Sequence, residues 1–134
     1  MTYPGRILWD EVITGFGRLG APNASSRFGV TPDMCTIAKG LNNPTVPMGA
    51  TVVSDEIYRT FMEATSSGVE LFLGYTCSAH PLAVASALAT QEVLAREGVD
   101  AQAAELAPYF EHAVHSLRGE PHVTDIRSIG LAAG

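Results

Sequence analysis

The chain has 134 residues, a formal net charge of −6, 46% hydrophobic residues and 16% charged ones. That length suits one ordinary domain, and that balance excludes a disordered chain. The acidic charge, with Arg6, Arg18, Arg27 and Lys39 unclustered, argues against nucleic acid or an anionic membrane as partner.

No charge-free apolar run reaches the roughly 18 residues needed to span a membrane. The segment Met1 to Arg6 shows no basic stretch followed by an apolar one, so no export signal is visible. Cys35 and Cys77 stand far apart without a CxxC motif and read as free thiols in a reducing compartment. The expectation is a cytoplasmic protein.

In chain order, Arg6-Ile-Leu-Trp-Asp-Glu-Val predicts a buried strand whose C-terminal end carries Asp10 and Glu11. Residues 14–32, rich in Gly, Pro, Ser and Asn, predict a long loop with at most one helical turn. A second strand is expected over Met34–Ala38, with Lys39 at its end, and a third over Met48–Val53 after a loop from Gly40 to Pro47. Ser54 is expected to cap a helix over Asp55–Ala64, whose first-turn acids suit the helix dipole. Residues 66–80 read as loop, with Val69–Leu73 apolar enough for a short buried piece.

Pro81 opens a helix to about Glu97 that is apolar on most sides, so both faces are expected to be covered, and Gly98 ends it. Asp100 is expected to cap the last helix. There Ala103, Leu106, Ala107, Phe110, Val114 and Leu117 form one apolar stripe, and Pro108 should kink or divide it. Val123–Ile126 is expected to begin a strand. Ser128 to Gly134 stops in what reads as the middle of an element. The alternation predicts an α/β fold with a mainly parallel sheet and flanking helices.

Ligands of such sheets bind beyond the C-terminal strand ends, where Asp10, Glu11 and Lys39 fall. Asp10 and Glu11 read equally well as a functional carboxylate pair or as a solvated strand end. Lys39, between Ala38 and Gly40, could lose its charge in an apolar, glycine-lined site and act as a nucleophile or base. Taken alone, an ordinary surface lysine is the simpler reading. The two together match what pyridoxal phosphate requires, a lysine for the Schiff base and a carboxylate for the pyridine nitrogen. Gly15-Phe-Gly-Arg-Leu-Gly fits the dinucleotide pattern G-x-G-x-x-G, but Pro22 and Gly29 interrupt the helix that pattern needs. His112 and His115 are spaced i, i+3 with no third ligand nearby and read as surface histidines, so no metal site is expected. His80, before Pro81, reads as shaping a helix start.

The run Trp9-Asp10-Glu11-Val12-Ile13-Thr14-Gly15-Phe16-Gly17-Arg18-Leu19-Gly20 resembles the D-E-V-x-x-G-x-G-R segment of the class III aminotransferases, pyridoxal-phosphate enzymes of fold type I. Asp33 with Ala38-Lys39-Gly40-Leu41 resembles the lysine segment of that family. Pro47-Met48-Gly49-Ala50, Ser54-Asp55-Glu56-Ile57 and Gly74-Tyr75-Thr76-Cys77-Ser78-Ala79-His80-Pro81 continue the likeness in order.

The resemblance implies that Lys39 forms the Schiff base with pyridoxal 5′-phosphate and then shuttles the proton. It implies that Asp10 holds the pyridinium, that Val12 packs on one ring face, and that Thr76 binds the phosphate of the neighbouring subunit in a homodimer with shared sites. Ile13, where several relatives handling ornithine carry Gln, resembles the ω-amino acid:pyruvate (β-alanine:pyruvate) branch. Pro44 departs from a usual Gly, Trp9 from a usual Phe, and Cys77 and Ala79 from the commoner Tyr-Ser-Gly.

The implied function is a transaminase moving an amino group from an ω-amino acid or amine to a keto acid such as pyruvate. Residues 1–98 would be the C-terminal half of the large cofactor domain, and residues 99–134 would begin a small α+β C-terminal domain. The family's phosphate loop and ring-stacking aromatic would precede Met1, and its carboxylate-binding arginine would follow Gly134. The chain is therefore expected to be an internal fragment. The rival readings are a truncated, non-catalytic piece with exposed apolar surface, and a dinucleotide-binding oxidoreductase with a helix starting at Gly17–Gly20.

Overall fold

The computed structural model describes residues 5–64 and 74–134, so the expected buried piece at Val69–Leu73 lies outside the described residues. Strand β1 (Leu8–Asp10) leads through a long loop with one short helix, α1 (Ala24–Arg27), to β2 (Met34–Ile37) and a 3₁₀ turn (Lys39–Leu41). Then follow β3 (Ala50–Val53), α2 (Asp55–Ala64), α3 (Pro81–Glu97), α4 (Val99–His115) and the hairpin β4 (Ser128–Ile129) and β5 (Ala132–Ala133).

The sheet order is β1-β2-β3. β2 runs parallel to β1, with Asp10 beside Thr36, and antiparallel to β3, with Cys35 beside Val52. The α/β class holds, while this part of the sheet is mixed, one pairing of each kind. Asp33 stitches its edge. Its carboxylate accepts from the backbone N–H of Ile7 at 2.8 Å and from Arg6 Nη1 at 2.9 Å, and its carbonyl accepts from Ser54 N at 2.8 Å. Arg6 also bonds Glu56 on α2.

Several expectations change in the folded chain. β1 is not buried: Leu8 is 57% exposed, because the helices pack on the 3₁₀ turn, the hairpin and each other rather than across the sheet. Ser54 stands before α2 and accepts from Tyr58 N through its carbonyl, but its hydroxyl finds no partner among the described residues. α3 buries Ala83 and Ala87 on one face, while Leu82 and Leu88 on the other are exposed.

Gly98, at φ 61, ends α3 and caps α4 at once, which only glycine does without strain. Asp100 is therefore inside the first turn of α4, not its cap. Pro108 lies within α4 without ending it, since the inner face is docked through buried Ala103 and through Ala104 against Gly20. Residues 123–126 form no strand; the pairing begins at Ser128.

The backbone N–H of Ile7, then Arg6, hold the Asp33 carboxyl below the usual carboxylate range, and Arg6 does the same for Glu56. Both groups have depressed folded-state values. Their contribution is therefore present above the unfolded values and is lost as pH falls through the folded ones. The melting temperature is expected to fall more steeply between about pH 5 and pH 3 in the wild type than in Arg6→Met, a difference screened by salt because the groups are exposed. Parallel acid titrations in the two proteins would refute the coupling.

Candidate active site

Parallel pairing of β1 and β2 brings two sequence-separated groups to one end of the sheet. Asp10 closes β1 beside Thr36, and Lys39 follows β2 three residues beyond Thr36. Both side chains are exposed there. The Asp10 carboxylate is oriented by the backbone N–H of Val12, which donates to Oδ1 at 2.9 Å. Among the described residues Oδ2 takes no hydrogen bond, so one oxygen is anchored and the other is open. Val12 is half-buried directly beyond.

The neighbouring Glu11 turns the opposite way. It is 1% exposed, and its carboxylate is a fork for backbone donors. Oε1 accepts from Ser25 N at 2.8 Å; Oε2 accepts from Ala24 N at 3.0 Å and from the Thr14 hydroxyl at 2.5 Å. Asn23 takes the next donor, Ser26 N, at 2.8 Å. The free N–H groups of α1 are thus all satisfied by two side chains, and a buried carboxylate sits on the positive end of the helix. A four-residue helix has little stability of its own. Glu11 is what makes it a fixed point.

The turns between Glu11 and Asn23 then hold Phe16 at φ 60 with its ring against Gly40. A Cβ on Gly40 would lie 2.7 Å from the Phe16 Cβ. No helix starts within Gly15–Gly20, so the dinucleotide geometry is absent there.

Lys39 itself has φ 46, a left-handed conformation that costs a non-glycine residue on the order of 1 kcal/mol. It lines a cleft of ≈ 200 Å³ with Ile13, Phe16, Arg18, Val99 and Leu131. The lysine is exposed rather than enclosed by apolar walls as expected, because this lining stands to one side of it. A larger cleft of ≈ 380 Å³ lies between α4 and β5, but neither Lys39 nor Asp10 reaches it.

Thr76 stands in an exposed turn. Among the described residues no hydrogen bond or ion pair joins it to Asp10 or Lys39. His112 is exposed, and His115 lies 3.2 Å from Ser128 Oγ, tying α4 to the hairpin. Cys35 and Cys77 are free, and burial, then the charges of Glu11 and Asp10, push the Cys35 thiol up. Among the described residues no helix is long and apolar enough to cross a membrane.

Sequence reasoning missed Gln91, which reaches from α3 to the lysine turn, and left Glu11 without a distinct role. Of two adjacent acids at a strand end, the sequence offers no sign of which way either points. An isolated Gln on an Ala-rich helix offers none of what it meets.

The family model described as aminotransferase class-III matches residues 6–134. The chain is 52% identical over 128 residues to an ω-aminotransferase of Caulobacter vibrioides, and 51% identical to a β-alanine–pyruvate aminotransferase of Pseudomonas aeruginosa. These alignments cover 96% and 94% of this chain but 29% of each relative. The structure superposes on a thermostable (S)-enantioselective ω-transaminase from Thermomicrobium roseum with a TM-score of 0.86 and 38% identity. That match covers 96% of this chain and 28% of the other.

Glu11→Ala leaves the buried N–H groups of Ala24 and Ser25 unpaired, while the Thr14 hydroxyl keeps the Asp10 carbonyl as acceptor, and is expected to cost about 3 kcal/mol in a urea unfolding titration. Glu11→Gln keeps one acceptor and should cost about 1 kcal/mol. Equal losses would show that the hydrogen-bond fork is not what holds the loop. Gly40→Ala is expected to cost about 1–3 kcal/mol through the contact with Phe16. Most of that loss should vanish in a Phe16→Gly background, which removes the facing Cβ, and simple additivity in the double-mutant cycle would count against this contact.

Proposed function

The chain belongs to the class-III aminotransferases, and from that membership we propose that it carries the lysine-bearing part of a transaminase acting on an ω-amino acid or amine and a keto acid such as pyruvate. It spans about 29% of the length of the curated relatives it matches, so the reading concerns the whole enzyme to which these residues correspond. Residues 1–98 would then belong to the large cofactor domain and residues 99–134 to the start of the small one.

One observation supports the reading most: Asp10 and the chain's single lysine, Lys39, stand at the same end of two hydrogen-bonded parallel strands. Class-III aminotransferases use pyridoxal phosphate. When bound, it supplies an electron-withdrawing ring that stabilises negative charge on a substrate carbon. The donor set suits it. Asp10 has one carboxylate oxygen fixed by Val12 N and the other open, which fits a ring nitrogen that must stay protonated. Val12 would flank the ring. Lys39 would provide the amine that holds the cofactor carbonyl carbon, and once released would carry a proton at Nζ. Thr76 would hold the phosphate across a homodimer. The cytoplasm is the proposed setting, from the reading of Cys35 and Cys77 as thiols of a reducing compartment.

A second reading draws on a different observation. Leu82, Leu88 and Tyr109 are 67%, 63% and 72% exposed, as expected of a piece that pairs with other protein surface rather than acting alone.

Incubation with pyridoxal phosphate, borohydride reduction and peptide mapping separates the two. The first reading expects a pyridoxyl group on Lys39, which is lost in Lys39→Arg and weakened in Asp10→Asn. The α-amine of Met1 is the internal reference for unselective labelling. Labelling of Met1 alone would leave the non-catalytic reading standing for this chain.

A further inference from the structure

The left-handed backbone of Lys39 has to be held by something outside its own segment, since nothing in an Ala-Lys-Gly sequence prefers it. Two neighbours grip the turn that follows. On one side the Phe16 ring presses on Gly40. On the other, α3 presents the half-buried side chain of Gln91, whose Nε2 donates to the carbonyl of Leu41 at 2.8 Å and to that of Gly40 at 3.3 Å.

The 3₁₀ turn closes through Leu41 N to Ala38 O at 3.0 Å, so Lys39 and Gly40 lie inside that ring, with the Gly40 carbonyl carried on it and the Leu41 carbonyl just beyond it. Two consecutive carbonyls can face one donor only if the turn keeps this curvature. A change of φ at Lys39 would swing at least one of them away from α3. Gln91 thereby selects the backbone conformation that directs the ε-amine, although it is fifty-two positions away in sequence and on another element.

We propose that Gln91 is a positioning residue for Lys39, clamping the lysine turn in its left-handed conformation so that the amine faces the Asp10 end of the sheet. The inference rests on the reading of Lys39 as the cofactor-binding amine. It adds the requirement that α3 sets the amine's direction. The role belongs to the amide nitrogen and not to the bulk of the side chain. Gln91→Met keeps the length and helix propensity without a donor, and Gln91→Glu keeps the shape without a donor.

A single lysine makes the test direct. In chain labelled with ¹³C,¹⁵N-lysine, the one set of Lys39 Cα, Cβ and HN–Hα coupling values reports its φ. Borohydride trapping with pyridoxal phosphate reports the amine. In Gln91→Met the Lys39 shifts and coupling should leave the left-handed pattern, and the rate of trapped adduct on Lys39 should fall roughly five- to tenfold, the worth of one to two neutral hydrogen bonds. Met1 labelling should not change.

Ser86→Ala removes a longer contact from the same helix, 3.5 Å to the Asn42 carbonyl, and should change neither reading. If Gln91→Met does not fold, Gln91→Glu carries the same expectation. Unchanged Lys39 shifts and trapping in a folded Gln91 variant would overturn the proposal while leaving the lysine's role intact. A wild-type chain that never labels at Lys39 would overturn the functional reading, and this proposal with it, even where the Lys39 shifts respond to the substitution.

Discussion

A buried carboxylate holding three donors from one loop is the constraint on which the rest of this structure turns. Glu11 is fully buried, so its charge has to be met inside the protein. It is met by the N–H groups of Ala24 and Ser25 and by the Thr14 hydroxyl. The chain from Thr14 to Ser25 must therefore fold back on the end of β1. A segment with three glycines and one proline among its twelve residues would otherwise have many conformations. Here it has one, because leaving that carboxylate unpaired is worse than ordering the loop.

That loop is a hub. Phe16 leans on Gly40, Gly20 meets Ala104 of α4, and the Arg18 carbonyl accepts from Leu131 N in the β4–β5 hairpin at 2.9 Å. Arg27 returns to the Leu19 carbonyl, and Leu19 is among the most deeply buried large side chains of the described residues. The lysine turn, the start of α4 and the hairpin are thus referenced to one another through the same dozen residues. The cleft beside Lys39 is their meeting point. Adjacent acids divide the work: Asp10 stays exposed with an open oxygen, and Glu11 is spent on architecture.

The apolar interior is small. Among the described residues its buried apolar members are Leu19, Leu41 and four alanines, Ala24, Ala83, Ala87 and Ala103. Many larger apolar side chains, among them Leu8, Val52, Leu82, Leu88 and Tyr109, remain in contact with solvent. Burial of that surface would add far more stabilisation than the alanines provide. The site is accordingly held by polar geometry, side chains gripping backbone groups, more than by packing. That is why Glu11 and Gln91 matter out of proportion to their size.

Much of this was legible in the sequence. The strand–loop–strand–helix order, the helix over Asp55–Ala64, the helix from Pro81 to Glu97 stopped by Gly98, and the placing of Asp10 and Lys39 at strand ends all follow from local patterns that act over a few residues. The run from Trp9 to Gly20 and the Ala38–Leu41 segment carried the family as well. Local patterns failed where the decision was made by something distant. Glu11 and Asp10 look alike in sequence, and only the position of α1 decides which is buried. The direction of β3 depends on its partner, since the apolar alternation of a strand is the same read either way. The cap of α4 fell to Gly98 because it already served α3, and Pro108 was carried by a helix docked on its inner face. The conformation of Lys39 was decided by Phe16 and Gln91, because a side chain's aim is a property of what surrounds it in space, and sequence neighbours supply only part of that surrounding.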